Sequence, residues 1–321
     1  MNSKSTGTLP GVRPRIAVVG SINMDLVFRT PRMPTVGETI TGRHFFQTPG
    51  GKGANQAVAC ARQGATVDFV GAVGADLFGQ QALAGLAAEG IGTGHIVSSD
   101  AAASGVAGIF VADDGANSIV IAPGANDLLS VAQVDAASPA IAAAAFLVCQ
   151  LESPLDSVRR AIAIARAHGV GVVFNPAPAR DLDDALLSQV DYLVVNETEA
   201  AQLSGIAVDD PESAVRAAGA LRARGAAVVL LTMGDQGVLV SSPDYTRFIP
   251  AVQVDAVDTT AAGDTFVGSL TVGLARGHDL GAAVAEAQYA AALTVTRIGA
   301  QSAIPTRDEV IHLMTQRRGS P

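Results

Sequence analysis

The sequence predicts an α/β fold: a mainly parallel central sheet with helices on both faces, plus a small β-sheet lid. Three observations carry this. Short apolar, β-branched runs alternate with Ala-rich segments of helical length along the 321 residues. Two turn-rich regions with strand-like pieces interrupt the alternation and have no helix beside them. Glycine-rich or acidic clusters follow several strands, where open α/β sheets bind ligands.

The elements follow in chain order. Ile16 to Val19 ends at Gly20 and has the composition of a buried parallel strand. Val67 to Val70, Phe146 to Gln150, Val170 to Phe174, Tyr192 to Val195 and Val228 to Thr232 share that pattern. Between them, Gly53 to Gln63, Leu77 to Glu89, Leu155 to Ala167 and Pro211 to Arg224 have helical spacing. Strands separated by helix-length segments imply right-handed crossovers, and therefore a parallel sheet covered on both faces. Residues 1–14 read as a disordered tail, and 15–321 as a single domain. The lid is expected from about 25–48 and 104–122. Leu26–Arg29 and Glu38–Phe46 surround Pro31, Pro34 and Gly37, while Gly105–Val111 and Ser118–Ile121 flank the hairpin signal Asp113-Asp114-Gly115. Both halves read as antiparallel. Covering the sheet's carboxyl edge is the natural use of such a lid, and an oligomer contact is the alternative.

Composition excludes several classes. Hydrophobic residues are 49% and charged residues 16%, too apolar for intrinsic disorder. No apolar stretch reaches the ~18 residues of a membrane span, so no membrane partner is expected. Lys+Arg total 21 against Asp+Glu 30, a net charge of −9, without the basic stripe that nucleic-acid binding needs. An anion site must then be built locally, from backbone N–H groups and a few cations. The chain has two lysines, Lys4 and Lys52, and Lys52 stands inside a glycine cluster. Cys60 and Cys149 lie in apolar surroundings without ligand spacing and read as buried free thiols; with no export signal, the cytoplasm is the expected location. His44, His95, His168, His278 and His312 share no metal spacing. No G-x-G-x-x-G follows the first strand, which excludes an NAD-dependent oxidoreductase, and neither a Walker A loop nor G-x-S-x-G is present.

Three clusters can carry chemistry. In Ser21-Ile22-Asn23-Met24-Asp25, Asn23 and Asp25 fall on one side of an extended segment and can face adjacent hydroxyls of a polyol; an Asx turn would use the same residues. Pro49-Gly50-Gly51-Lys52-Gly53-Ala54-Asn55-Gln56-Ala57 opens a helix, with glycines that admit a ligand close to the backbone. Asp258-Thr259-Thr260-Ala261-Ala262-Gly263-Asp264-Thr265-Phe266 opens another, its small residues suited to a nest of N–H groups. Asp264 in the first turn could cap that helix, or take a proton from a hydroxyl while the nest holds developing phosphoryl charge. Asn196-Glu197-Thr198-Glu199 could orient hydrated Mg²⁺ or phosphate, or form a capping box. Thr232-Met233-Gly234-Asp235-Gln236-Gly237 could form a nucleotide ledge, and Glu152 could reach a sugar hydroxyl.

Together these motifs resemble the PfkB carbohydrate kinase family, most closely its ribokinase group, from about Arg15 to Pro305. The matching stretches are Gly20–Asp25, Gly50–Ala57, Gln150–Pro154, Asn175–Ala179, Asn196–Glu199 and Ala256–Phe266; Gly50–Asn55 and Ala262-Gly263-Asp264 correspond to the family's two signatures. The resemblance implies a ribokinase-like fold and ATP-dependent phosphorylation of D-ribose at its 5-hydroxyl. It places Asn23, Asp25, Gly51, Lys52, Gly53, Asn55 and Glu152 on the sugar, Asp264 as general base, and the N–H groups of Ala261 to Gly263 as the anion hole. It assigns Asn196, Thr232, Met233, Gly234, Asp235, Gln236, Gly237, Gly263 and Gln288 to the nucleotide, and Asn196 with Glu199 to the water shell of Mg²⁺ and phosphate. Asp258, Thr260, Thr294, Arg297, Gly299 and Ala303 would surround K⁺, mostly through backbone carbonyls. A homodimer through the lid is implied as well. The chain departs from the family's Gly-Ala-Gly-Asp at Ala261-Ala262-Gly263-Asp264, and varies at Thr260 and Ala303. Kinases for 2-deoxyribose, fructose, tagatose phosphate or nucleosides, and a non-catalytic sugar sensor, are the alternatives; Asn23 with Asp25 favours ribose.

Overall fold

The computed structural model describes residues 13–318. The first twelve residues of the expected tail lie outside the described residues. Pro14 belongs to the body: it is buried, and its carbonyl accepts the Thr66 N–H at 2.8 Å.

Strand β1 (Arg15–Val19) is followed by β2 (Asn23–Thr30), β3 (His44–Gly50) and helix α1 (Lys52–Arg62). Next come β4 (Thr66–Gly74), α2 (Leu77–Ala88), β5 (Gly92–Ser99) and the hairpin of β6 (Gly105–Ala112) and β7 (Asn117–Ala122). Helices α3 (Val131–Ala136) and α4 (Ser138–Ala142) lead to β8 (Phe146–Cys149). The alternation continues through α5 (Leu155–Ala167), β9 (Gly171–Phe174), α6 (Asp184–Leu187), β10 (Tyr192–Asn196), α7 (Glu197–Ser204), α8 (Pro211–Ala223) and β11 (Val228–Thr232). The hairpin of β12 (Gly237–Ser241) and β13 (Thr246–Pro250) precedes α9 (Ala262–Ala275), α10 (Leu280–Val295) and α11 (Arg307–Arg318).

The large sheet has nine strands in the order β13-β12-β11-β10-β9-β8-β1-β4-β5. It is parallel from β11 to β5, as the alternation predicts, and closes with the antiparallel β12–β13 edge. Its strands are apolar throughout because both faces are covered. In β1, Ala17 and Val19 point into one core with α5 and α8, while Ile16 and Val18 point into the other with α1, α9 and α10.

The second sheet has four strands, β3-β2-β6-β7, and differs from the expectation in two ways. Its centre is a parallel pairing of Asn23–Thr30 with Gly105–Ala112. Each of these strands follows a strand of the large sheet after a short connection, so both run outward together, and only the outer strands return antiparallel. The expected strand over Glu38–Phe46 begins only at His44. Glu38 folds back instead, accepting from Arg32 and from the Thr35 N–H at 3.0 Å, which holds that segment in a turn.

One close approach sets α1 against the end of β1. The Ala54 N–H donates to the Ser21 carbonyl at 2.9 Å, and a Cβ on Gly53 would stand 2.5 Å from the Ser21 nitrogen. Gly53→Ala therefore forces the helix off the strand end, and should destabilise the protein by about 1–3 kcal/mol in denaturant titration. Gly85→Ala in α2, where a new Cβ meets nothing within 4 Å, is the control: it should be neutral or stabilising by a few tenths to ~1 kcal/mol.

Candidate active site

The start of β2, the N-terminus of α1 and the segment after β8 converge on one polar pocket. Asn23 and Asp25 are two residues apart on β2, so both face the same way, and both are buried. Asn126 fixes the first: its Nδ2 donates to Asn23 Oδ1 at 2.8 Å and to the Ile22 carbonyl at 3.0 Å, while its Oδ1 accepts from the Ile22 N–H at 2.9 Å. With its oxygen taken, Asn23 offers its amide N–H groups. The Asp25 carboxylate lies over Gly50, where a Cβ would come within 2.2 Å of Oδ2. Burial, with Glu152 and Asp264 nearby, pushes its pKa up to about 7. Glu152 Oε2 accepts from Ser21 Oγ at 2.6 Å and from the Lys52 N–H at 3.1 Å. Gly51 has φ 90°, and a Cβ there would stand 2.6 Å from the Asn23 nitrogen, so the turn into α1 needs glycine. Burial alone would depress the Lys52 ammonium, but Asp264, Glu152 and Glu199 hold its pKa above the ordinary value.

Asp264 enters from the opposite side, in the first turn of α9. Ala261 at its N-cap is left-handed (φ 60°), a conformation uncommon for alanine, and no side chain caps the helix. Of the N–H groups expected to form an anion hole, that of Ala262 is engaged by the Thr259 carbonyl at 3.3 Å. Thr265 N–H reaches the Ala261 carbonyl at 2.8 Å, which leaves the N–H groups of Ala261, Gly263 and Asp264 as the free donors of this turn among the described residues. Asp264 does not cap its own helix. Its Oδ2 accepts from Asn55 Nδ2 at 2.9 Å and its Oδ1 from Gln56 Nε2 at 3.0 Å, both on α1. Gln56 Nε2 also faces Asn175 Oδ1 at 3.1 Å, and Gln56 Oε1 accepts from Gln150 Nε2 at 2.6 Å.

A cavity of about 230 Å³ lies between Lys52, Asn196, Glu199, Ala261, Gly263 and Asp264. A second, of about 280 Å³, adjoins it through Thr232, Thr259 and Gly263. Its polar rim holds Gly234, Asp235, Gly237 and Gln288; its wall is apolar, with Val238, Val252, Phe266, Ala292 and Val295, a slot suited to a planar ring.

The remaining candidates have defined places. Asn196 and Glu199 form the capping box of α7 while lining the first cavity, and burial raises the Glu199 carboxyl. Met233 belongs to the core and Gln236 is exposed; neither lines a cavity. Gln288 Nε2 is committed to the carbonyls of Ile249 and Pro250, both at 3.1 Å. Asp258 brings two loops together, accepting from Thr260 N–H and Gly299 N–H at 2.9 Å each; burial would raise its carboxyl, but these bonds hold it below the ordinary value. The Thr294 hydroxyl turns inward to Thr265 and Ala290, Arg297 pairs with Glu309, and Ala303 is buried. Among the described residues no three His, Cys, Asp or Glu side chains group as a metal cluster. Gln56, Asn126, Gln150 and Asn175 were not among the expected site residues. Gln56, Gln150 and Asn175 fall inside the family-like stretches Gly50–Ala57, Gln150–Pro154 and Asn175–Ala179, and Asn126 lies outside them. Asn55 with Gln56 also interrupts an otherwise apolar run, Ala54 to Cys60, that is buried throughout.

Comparison with known proteins bears on the family and the fold. Residues 13–307 match the pfkB family carbohydrate kinases. The ribokinase of Haemophilus influenzae is 45% identical over 94% of this chain and 99% of its own length. The deoxyribokinase of Salmonella typhi is 39% identical over 92% and 96%. Among solved structures, Arabidopsis thaliana ribokinase complexed with ribose and ATP superposes with a TM-score of 0.87 at 29% identity, over 94% of this chain and 99% of that one. The fold is ribokinase-like, and this chain belongs to the pfkB family of carbohydrate kinases.

Proposed function

We propose that this chain transfers the γ-phosphoryl group of ATP to the 5-hydroxyl of D-ribose. The observation that supports this best is the position of Asp264. Its carboxylate is bonded to Asn55 on the polar-pocket side, and it lines the cavity that also holds Lys52 and the free N–H groups of the α9 turn. The amide of Asn23 and the carboxylates of Asp25 and Glu152 hold the sugar, and the 5-hydroxyl meets Asp264. Asp264 accepts the hydroxyl proton as the oxygen attacks the γ-phosphorus and the bond to the ADP oxygen breaks. The N–H groups of Gly263 and Asp264, with Lys52, oppose the charge that builds on the transferred group. The apolar slot takes the adenine ring.

Mg²⁺ bound with ATP supplies charge neutralisation. The ion would be held by phosphates and water, with Asn196 and Glu199 bordering that water. K⁺ fits the loops joined by Asp258 and Gly299; because the Thr294 and Arg297 side chains are engaged elsewhere, backbone carbonyls are its donors. The lid excludes water that would otherwise hydrolyse ATP. On its face away from Asp25, Phe45 (56% exposed), Phe28 (37%) and Val120 (67%) form the contact of a homodimer. In the described residues no helix is long and apolar enough to cross a membrane, and the cytoplasm is the proposed location.

Deoxyribose is the second reading, favoured by the Salmonella relative. ADP release with ATP and Mg²⁺ should be fastest with D-ribose, ahead of 2-deoxy-D-ribose, D-fructose and adenosine, and should rise with K⁺. A preference for deoxyribose would overturn the role given to Asn23. Asp264→Asn should bind ribose normally in calorimetry while kcat falls by ~10²–10⁴-fold; near-parental kcat would remove Asp264 as the base. Asp25 must be ionised to accept two hydroxyls, so the ribose KM should climb as pH drops below about 7. Stability runs the other way: folding raises this carboxyl from 3.8 to about 7, so the protein takes up a proton on folding and loses stability as pH rises across that window. At pH 8, Asp25→Asn should therefore gain on the order of 2 kcal/mol in denaturant titration while ribose binding weakens. Val120→Asp should halve the mass seen by analytical ultracentrifugation; a parental mass would place the dimer contact elsewhere.

A further inference from the structure

We propose that Gln56 is a positioning residue for the proton acceptor, the last member of a buried amide chain that holds the Asp264 carboxylate in one orientation. The inference rests on the reading of Asp264 as the base.

The chain is defined by its hydrogen bonds. An ionised carboxylate can only accept, so Gln56 must turn its Nε2 toward Asp264 Oδ1, at 3.0 Å. That leaves Gln56 Oε1 as an acceptor for Gln150 Nε2, at 2.6 Å. A third amide agrees: Asn175 Nδ2 is committed to the Val194 carbonyl at 2.9 Å, so Asn175 presents its oxygen to the same Gln56 Nε2, at 3.1 Å. All the amide orientations are mutually consistent with a negative charge on Asp264, and flipping any one of them breaks a bond.

This order has a cost. Gln150 Oε1 is buried without a hydrogen-bond partner, and it occupies the space left by Gly20, where a Cβ would come within 2.1 Å of it. A buried, orphaned carbonyl oxygen is unfavourable unless the rest of its amide is needed where it stands. Here that need is the donor end, which anchors Gln56. Gln56 and Gln150 are both fully buried and line neither cavity, so neither touches the sugar or the nucleotide. Asn55 holds Oδ2 from the other side, and the two amides together set the plane of the carboxylate. The lone pairs they leave open are those that face the cavity.

A residue that orients the base without touching substrate should change turnover and leave binding alone. Gln56→Met keeps the volume and removes the donor. It should lower kcat by ~10–100-fold with the ribose KM within about threefold of the parent, because a small misplacement of the base costs rate rather than affinity. Gln150→Met, one step further out, should lower kcat less, and the double variant should be no slower than Gln56→Met alone, since both act through one contact. Should Gln56→Met fail to fold, Gln150→Met carries the test: its loss must again fall on kcat and not on KM. Parental kcat in folded Gln56→Met, a loss confined to KM, or losses that multiply in the double variant would each overturn the proposal. Asp264→Asn separates the two readings. If it turns over normally, the base assignment fails; if it is inactive while Gln56→Met matches the parent, only the positioning role of Gln56 fails.

Discussion

Gly268 lets α9 lie against α1 so closely that a Cβ at that position would stand 2.5 Å from the Ala59 side chain, and Cys60 Sγ reaches the Gly268 carbonyl at 3.6 Å. The site depends on this contact. It brings two helix N-termini side by side, so that Asn55 and Gln56 of one reach the first-turn carboxylate of the other. At the same time Gly53 seats α1 on the end of β1, and Gly51 turns the chain across Asn23. Three glycines, one in α9, one in α1 and one at the turn into α1, thus set the distance between the β2 side chains and Asp264. A side chain at any of them would separate groups that act within hydrogen-bond reach.

Charge is organised around the same contact. Glu152, Glu199 and Asp264 gather near Lys52, and Asp25 stands near two of them, Glu152 and Asp264, in a chain whose net charge is −9. Their partners differ. Lys52 is held charged by carboxylates, while Glu152 accepts from the Ser21 hydroxyl and the Lys52 N–H, and Asp264 accepts from the two amides of α1. Asp25 has no such donor among the described residues, and burial, with the carboxylates of Glu152 and Asp264 nearby, raises its carboxyl to about 7. In the proposed reaction the sugar hydroxyls supply what Asp25 lacks, and backbone N–H groups supply the positive potential that an acidic composition withholds from the phosphates.

The lid shows the limit of local pattern. Its turn signals and its place in the chain were legible, and the hairpin at Asp113-Asp114-Gly115 formed where expected. The parallel union of β2 with β6 was not, because it joins segments about eighty residues apart, and period-2 alternation carries no information about a partner's direction. The ladder also places Asn23 opposite Gly105, beside Asn126, so the lid's innermost rung is part of the polar pocket.

By itself the sequence determined the α/β class, six of the nine strands of the large sheet with four of the helices between them, and the segments that carry chemistry, because buried parallel strands and glycine-rich helix starts leave strong local signatures. Strands β5, β12 and β13 were not read from it. The family resemblance placed Asn23, Asp25, Lys52, Asn55, Glu152 and Asp264 in one proposed reaction. In the structure Lys52 and Asp264 line one cavity, Asn55 bonds Asp264, Glu152 bonds the Lys52 N–H, and Asp25 lies within electrostatic reach of Glu152 and Asp264. Only the tertiary structure decided which amides hold them. Gln56, Gln150, Asn175 and Asn126 come from separate elements and meet through hydrogen bonds spanning 94 to 208 positions, so nothing in their own neighbourhoods announces the partnership. It also removed the cap as a role for Asp264: its oxygens turn across to α1 and not to their own helix, an arrangement that packing, not spacing, makes available.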